Sequence, residues 1–361
     1  MSLIETILQR AQSLHVPLSV HFDLTYRCNE RCEHCYLDHR DLGELRTERV
    51  KEILTDLAEA GVFFLTLSGG EPFLRQDLFE ILEHGRSLNF NIKLKTNAVL
   101  ISPSEAARLR DLFVERVQVS VYSVRAEIHD GITKVRGSLD RTIEGIRALR
   151  AARVAVSIAN VLMSSNASDF DGVRRLAQEL GAQYTLDPTV TPMMDGDASI
   201  LEHRADADTL RKIFRNPAIV GNVEEFCAPP AAVDDDILDG FSCSAGHTAC
   251  YISPYGDVFP CVQFPMTCGN LRDRTFREIW DKSPQFAELR SIHARDLHGC
   301  SSCGHLGSCS RCPGLAYLEG DMRGPSTADC EKSFLRTGVE VPGLRSRINA
   351  PMQGKLVQIQ V

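Results

Sequence analysis

A chain of 361 residues has length for roughly two domains of ~150 residues and a sizeable core. With 43% hydrophobic and 24% charged residues it has the make-up of a soluble globular protein, which excludes a mainly disordered chain. A net charge of −8 argues against nucleic acid or an anionic membrane as the main partner, and no apolar run reaches the ~18 residues of a transmembrane helix. Met1–His15 carries Glu5 and Arg10 and lacks a signal-peptide core, so the expected location is cytoplasmic. Thirteen cysteines then stand out, because in a reducing compartment clustered thiols read as metal ligands or catalytic groups.

In chain order, residues 1–17 read as an N-terminal helix, followed by strand-like runs that alternate with helical periodicity. The strands are expected at Val20–Thr25, Phe63–Ser68, Asn91–Asn97, Val117–Ser123, Ala155–Met163 and Gln183–Asp187. The helices are expected at Thr47–Ala60, Gln76–Leu88, Ser104–Phe113, Leu139–Ala152, Asp169–Leu180 and Asp206–Phe214. Asp169 is placed to cap its helix, and Gly61 and Gly181 to stop theirs. Six strand–helix units imply an α/β fold with right-handed crossovers, a partial (β/α)6 TIM-like barrel over 18–216 with ligands at the carboxyl ends of its strands.

Alternation within the strands sharpens this. Val20, Phe22 and Leu24 oppose His21, Asp23 and Thr25; Leu65 and Leu67 oppose Thr66 and Ser68. Ile92, Leu94 and Thr96 oppose Lys93, Lys95 and Asn97, and Val117, Val119 and Val121 oppose Gln118, Ser120 and Tyr122. A polar face turned inward lines a wet or ligand-filled lumen; the competing arrangement is an antiparallel sheet with one solvated face.

Cys28, Cys32 and Cys35, with C-x3-C-x2-C spacing, follow the first strand directly. Three thiolates on one loop can hold three irons of a cubane and leave the fourth open, and a zinc ion completed by His34 or His39 is the alternative. Together with Tyr36, these cysteines resemble the signature of the radical S-adenosylmethionine (radical SAM) superfamily. Ser68-Gly69-Gly70-Glu71-Pro72 resembles its GGE motif, which in the family holds the methionine amino group of SAM. Lys95-Thr96-Asn97 stands where the family often has Thr-Asn-Gly, with Ala98 replacing the glycine. Ser120 matches a position that hydrogen-bonds the SAM ribose or carboxylate, and Arg136 lies in what resembles the family's arginine-bearing turn. The resemblance implies Tyr36, Gly69, Gly70, Glu71, Asn97, Ser120 and Arg136 as SAM contacts. It also implies a mechanism: SAM chelates the open iron of a 4Fe–4S cluster, and one electron releases a 5′-deoxyadenosyl radical that abstracts hydrogen from substrate.

The C-terminal cysteines form a second group. Pro254–Asp257 has turn chemistry between two short strands, a hairpin that delivers Cys261. Cys243, Cys261, the run Cys300-x2-Cys303-x5-Cys309-x2-Cys312, and Cys330 resemble the SPASM extension of radical SAM enzymes, expected over 243–335. One departure is the two residues between Cys309 and Cys312, where the family usually has three. By analogy Cys300, Cys303, Cys309 and Cys330 hold one auxiliary cluster, and Cys243, Cys250, Cys261 and Cys312 hold another, both expected as 4Fe–4S. Cys268 is the alternative to Cys250, and Cys227 is left as a free thiol. Spacing alone also fits two zinc ribbons.

Residues 217–242 read as a bridging segment, with Asp234-Asp235-Asp236 a solvated loop, and 336–361 as a tail whose Leu356–Val361 alternates like a strand. Asp187 is a candidate catalytic base or a turn cap, and Tyr122 a substrate contact or a packing residue. The resemblance implies an oxidative maturase of a ribosomally made peptide or protein, similar to the PQQ-biosynthesis type. A flavodoxin or ferredoxin would donate electrons. Because the barrel begins near residue 18, a separate peptide-recognition protein is expected. Formylglycine formation in a sulfatase, or modification of a small molecule such as a haem precursor, are the alternatives.

Overall fold

The computed structural model describes residues 3–37, 39 and 42–348. Helix α1 (Leu3–Ser13) precedes a run of alternating elements: β1 (Ser19–Asp23), α2 (Thr47–Ala60), β2 (Phe64–Ser68), α3 (Leu78–Ser87), β3 (Asn91–Thr96), α4 (Pro103–Asp111) and β4 (Arg116–Ser120). It continues with α5 (Ala126–Thr133), α6 (Ser138–Ala151), β5 (Val156–Val161), α7 (Phe170–Glu179), β6 (Gln183–Asp187) and α8 (Ala207–Phe214). Every neighbouring pair from β1 to β6 is parallel, so the antiparallel alternative fails and the partial barrel stands. α5 was not foreseen; it occupies the stretch expected as a turn.

Local sequence explains the elements. Val50, Ile53, Leu54, Leu57 and Ala60 share one stripe of α2 and are buried, and Gly61 ends the helix at φ +99°, a left-handed conformation that costs glycine least. Ser102 and Glu105 close a capping box at the start of α4. Asp169 precedes α7 as expected, but its carboxylate does not cap that helix. It accepts instead from the Ser123 hydroxyl and the Val124 N–H, tying α7 to the end of β4.

The outward strand residues Val20, Phe22, Leu65, Leu67, Ile92, Leu94, Val117 and Val119 are buried in one core with the helices. Burying each such side chain contributes about 1.5–3 kcal/mol. This fixes the register, because a one-residue slip would turn the apolar set into the lumen.

The sheet does not stop at the barrel. β7 (Ala249–Ile252) pairs parallel to β1, and β8 (Asp257–Phe259) and β9 (Gly269–Asn270) continue antiparallel, giving the order β6-β5-β4-β3-β2-β1-β7-β8-β9. The expected hairpin is present, with Gly256 at φ +93° in its turn. The helix Phe276–Lys282 buries Phe276, Ile279 and Trp280 in the barrel's own core, and the Trp280 indole N–H donates to His15 O at 2.7 Å. The bridging stretch holds the short helices Pro217–Val220, Val223–Phe226 and Asp235–Asp239; Asp234 caps the last. No helix among the described residues is long and apolar enough to cross a membrane. The alternating stretch Leu356–Val361 lies outside the described residues.

Candidate active site

The carboxyl ends of β1–β6 surround a cavity of about 380 Å3. Cys28, Cys32, Cys35 and Tyr36 line it from the loop after β1, with Gly69, Gly70, Asn97, Ser120 and Asp187 from the following strand ends. Of the alternation expected to point inward, His21, Ser68, Lys95, Gln118 and Tyr122 are part of the same wall, and Thr185 of β6 joins them.

The cysteine loop is held from several sides. Arg31 and Glu33 donate backbone N–H bonds of 3.0 and 3.1 Å to Thr133 O and Ile132 O, at the end of α5. The Tyr122 hydroxyl lies 3.8 Å from Cys32 Sγ, and Tyr122 N–H donates to Nδ1 of buried His129 at 3.2 Å. Asn97 Nδ2 donates to Asn29 Oδ1 at 2.8 Å and lies 4.0 Å from Cys28 Sγ. Burial pushes the Cys28 thiol up to about 12 and raises those of Cys32 and Cys35, so each keeps its proton at neutral pH unless a metal takes its place.

Among the described residues neither histidine offered for zinc groups with two of these thiols as metal ligands would, although both line the same cavity. His34 packs edge-on against Tyr122 at 4.9 Å, and His39 Nδ1 meets Tyr26 O at 3.1 Å. Among the described residues no three His, Cys, Asp or Glu side chains converge as ligands of a single ion do. Three soft donors spread along one loop beside a cavity fit a polynuclear iron–sulfur cluster better than tetrahedral zinc.

The glycines of the GGE motif are required by the loop itself. A Cβ on Gly69, which has φ +142°, would lie 2.2 Å from Thr25 O, and one on Gly70 would lie 2.4 Å from Arg27 O. Gly70 N–H donates to Thr25 O at 2.7 Å and Glu71 N–H to Arg27 O at 2.8 Å, so the cysteine loop starts from this contact. Glu71 is fully buried and is not in the lining. Its carboxylate accepts from the Thr96 hydroxyl at 2.8 Å, Asn97 N–H at 2.8 Å and Phe73 N–H at 3.1 Å. The two glycines therefore face the cavity and the carboxylate does not. Arg136 is exposed in the turn between α5 and α6, outside the cavity. Ala98 takes φ +61°, the conformation for which a glycine is the easier choice.

Deeper in the lumen, His21 Nε2 lies 3.1 Å from Asp23 Oδ1, and the Tyr251 hydroxyl donates to Asp23 Oδ2 at 2.8 Å. Tyr251 in turn meets the Tyr26 hydroxyl at 2.7 Å. Burial lowers the His21 pKa, favouring the neutral ring. Asp187 Oδ1 accepts from Thr189 N–H at 2.9 Å, so this carboxylate both caps a turn and lines the cavity.

The hairpin completes the wall: Val262 and Gln263, directly after Cys261, line the same cavity. Cys312 Sγ lies 3.9 Å from Gln263 Oε1, and its thiol, like that of Cys261, is raised by burial. Cys243 and Cys312 each interact electrostatically with Cys261. Cys250 and Cys268 are buried together in the main core; of these two, Cys250 is the one whose thiol feels Cys261. Cys300, Cys303, Cys309 and Cys330 line a separate pocket with Arg311 and Asp329. The shortened spacing is accommodated where Cys312 N–H donates to Asp329 Oδ2 at 2.8 Å and begins the helix Pro313–Leu318. The Cys227 thiol donates to Phe214 O at 3.2 Å, apart from both groups. Sequence patterns had placed His21, Lys95 and Gln118 on the inner face without a role; nothing in the spacing marked Val262 or Gln263 as cavity wall.

Residues 22–177 match the family profile described as Radical SAM superfamily, and residues 243–313 match SPASM, an iron-sulfur cluster-binding domain. The chain is 31% identical over 326 residues to an AdoMet-dependent heme synthase of Methanosarcina barkeri, covering 84% of this chain and 93% of that protein. It is 30% identical over 313 residues to the mycofactocin maturase MftC of Mycobacterium tuberculosis, covering 83% and 79%. Streptococcus suis SuiB bound to precursor peptide SuiA shares the fold with a TM-score of 0.71 at 19% identity, over 89% of this chain and 77% of that one.

Proposed function

Because the chain belongs to the radical SAM superfamily and carries a SPASM extension, we propose that it is a peptide maturase, oxidising or cross-linking a side chain of a ribosomally made peptide. A 4Fe–4S cluster at Cys28, Cys32 and Cys35, with SAM, supplies when bound the one-electron chemistry that removes a hydrogen atom from substrate. The chain's own residues hold the reactants and keep water out. Gly69, Gly70, Asn97, Ser120 and Tyr36 border the SAM end of the cavity, while His21, Lys95 and Gln118 form its floor. Asp187 and the His21–Asp23 pair are the carboxylate and imidazole groups positioned to take up a substrate proton.

The observation that carries this reading is that one cavity is bounded by the cysteine loop and by the segment following Cys261. A substrate side chain in it faces both cysteine groups, which suits removal of a hydrogen atom followed by removal of an electron. The mycofactocin maturase relative supports a peptide as substrate. The heme synthase relative supports a second reading, oxidation of a haem precursor in the same cavity.

Anaerobic incubation with dithionite, SAM and either a short peptide encoded beside the gene or a haem precursor decides between them. The proposal expects 5′-deoxyadenosine with a mass change in the peptide; 5′-deoxyadenosine coupled only to the haem precursor overturns it. The scheme includes a cytoplasmic setting, a flavodoxin or ferredoxin donor and a separate protein that presents the peptide. Full modification by the enzyme alone would remove that presenting partner.

A further inference from the structure

Lys95 on β3 faces the lumen two residues before Asn97, which at ~3.3 Å per residue places it about 7 Å deeper than Asn97. The register sets it opposite Gln118 on β4, and both side chains line the cavity. Lys95 is half-buried in the cavity wall, and among the described residues its ammonium makes no hydrogen bond or ion pair. The charged groups that act on it, Asp23, Cys261 and Asp187, do so at longer range. Asp23 is already engaged by His21 and Tyr251, and Asp187 caps Thr189. Among the described residues the Gln118 amide makes no hydrogen bond either. An ammonium with three unused donors on a cavity wall is a ready partner for an anionic group of a ligand.

We propose that Lys95, with Gln118 beside it, seats a carboxylate of the substrate on the floor of the cavity. The inference rests on reading this cavity as the substrate site, and it names the substrate's anchoring group. The carboxylate of SAM belongs one layer higher, beside the cysteine loop. A seat on the floor fixes one end of the substrate so that the remainder extends upward past Ser120 and Asn97 toward the cysteines. For a peptide, the group is a terminal carboxylate or an Asp or Glu side chain.

The test uses reconstituted, SAM-loaded enzyme and three probes: N-acetylphenylalanine with a free terminal carboxylate, N-acetylaspartate N-methylamide with a side-chain carboxylate, and N-acetylphenylalaninamide with none. Calorimetry is expected to show one carboxylate probe binding about 10- to 100-fold more tightly than the amide, the range of a charge-assisted hydrogen bond. Lys95→Met should abolish that preference while SAM affinity stays within about threefold of wild type. Lys95→Gln, which keeps a polar head, repeats the test should the methionine variant lose its iron. Which carboxylate probe binds identifies the source of the group. Equal binding of carboxylate and amide probes, binding to neither, an undiminished preference in both variants, or a parallel loss of SAM affinity overturns the seat. The probes carry no peptide sequence, so failure of the peptide reading would appear in turnover assays and not in this titration.

Discussion

Gly70→Ala separates two reasons for a glycine at the end of β2. If it only leaves room for a ligand, the variant should keep its iron and lose SAM. The structure gives another reason, because the added Cβ would lie 2.4 Å from Arg27 O and 2.8 Å from Tyr26 O. A carbon–oxygen contact of about 3.3 Å requires the loop to retreat by about 0.9 Å. That movement breaks the bonds Gly70 N–H to Thr25 O and Glu71 N–H to Arg27 O, and Cys28 is the next residue along. Two backbone bonds at about 1 kcal/mol each, with about 1–3 kcal/mol of overpacking, give about 3–5 kcal/mol. At about 2 °C per kcal/mol for a chain of this size, the melting temperature should fall by about 6–10 °C. Iron counted after anaerobic reconstitution should fall by about four atoms, with the auxiliary iron retained. A full iron count with SAM binding alone lost would refute the argument.

Cys250→Ala should remove the inner auxiliary cluster, whereas Cys268→Ala should retain it; iron counts and electron paramagnetic resonance distinguish the two, and the reverse result would move the fourth ligand to Cys268. His129 is held near pKa 4 by burial, below its usual 6.5, so the neutral ring's contribution is complete above pH 6.5 and is lost as pH falls from there toward 4. His129→Asn keeps an acceptor for Tyr122 N–H and removes this titration. Its loss of stability between pH 7.5 and 5 should be smaller than wild type's by about 2 kcal/mol, read from urea unfolding at each pH. Tyr251→Phe leaves Asp23 Oδ2 without its 2.8 Å donor in a fully buried site and should cost about 1.5–3 kcal/mol by thermal melting.

Much of the fold was legible because each strand alternates cleanly. Val117, Val119 and Gln118, Ser120 could be sorted to opposite faces from period two alone, and Thr47–Ala60 has matching stop chemistry at Gly61. Cys28, Cys32 and Cys35 announced themselves by spacing. Side-chain direction beyond a strand end was not legible. Glu71 and Arg136 were placed by resemblance, but Glu71 turns inward to Thr96 and Asn97, while Arg136 points to solvent. α5 was not legible because its eight residues run straight into the arginine-bearing turn. The pairing of β7 with β1 joins residues too distant in sequence for any local pattern to report.

That pairing has a consequence for biogenesis. β1 gains β2 as a neighbour early in synthesis, but its other edge stays open until Ala249–Ile252 has been made. An open strand edge offers unpaired N–H and C=O groups to other chains, and contacts so far apart in sequence form slowly. The cysteine-rich segment therefore also shields the barrel. A nascent chain arrested before residue 249 carries a sticky edge, and expression conditions that slow translation through the middle of the message should increase aggregation.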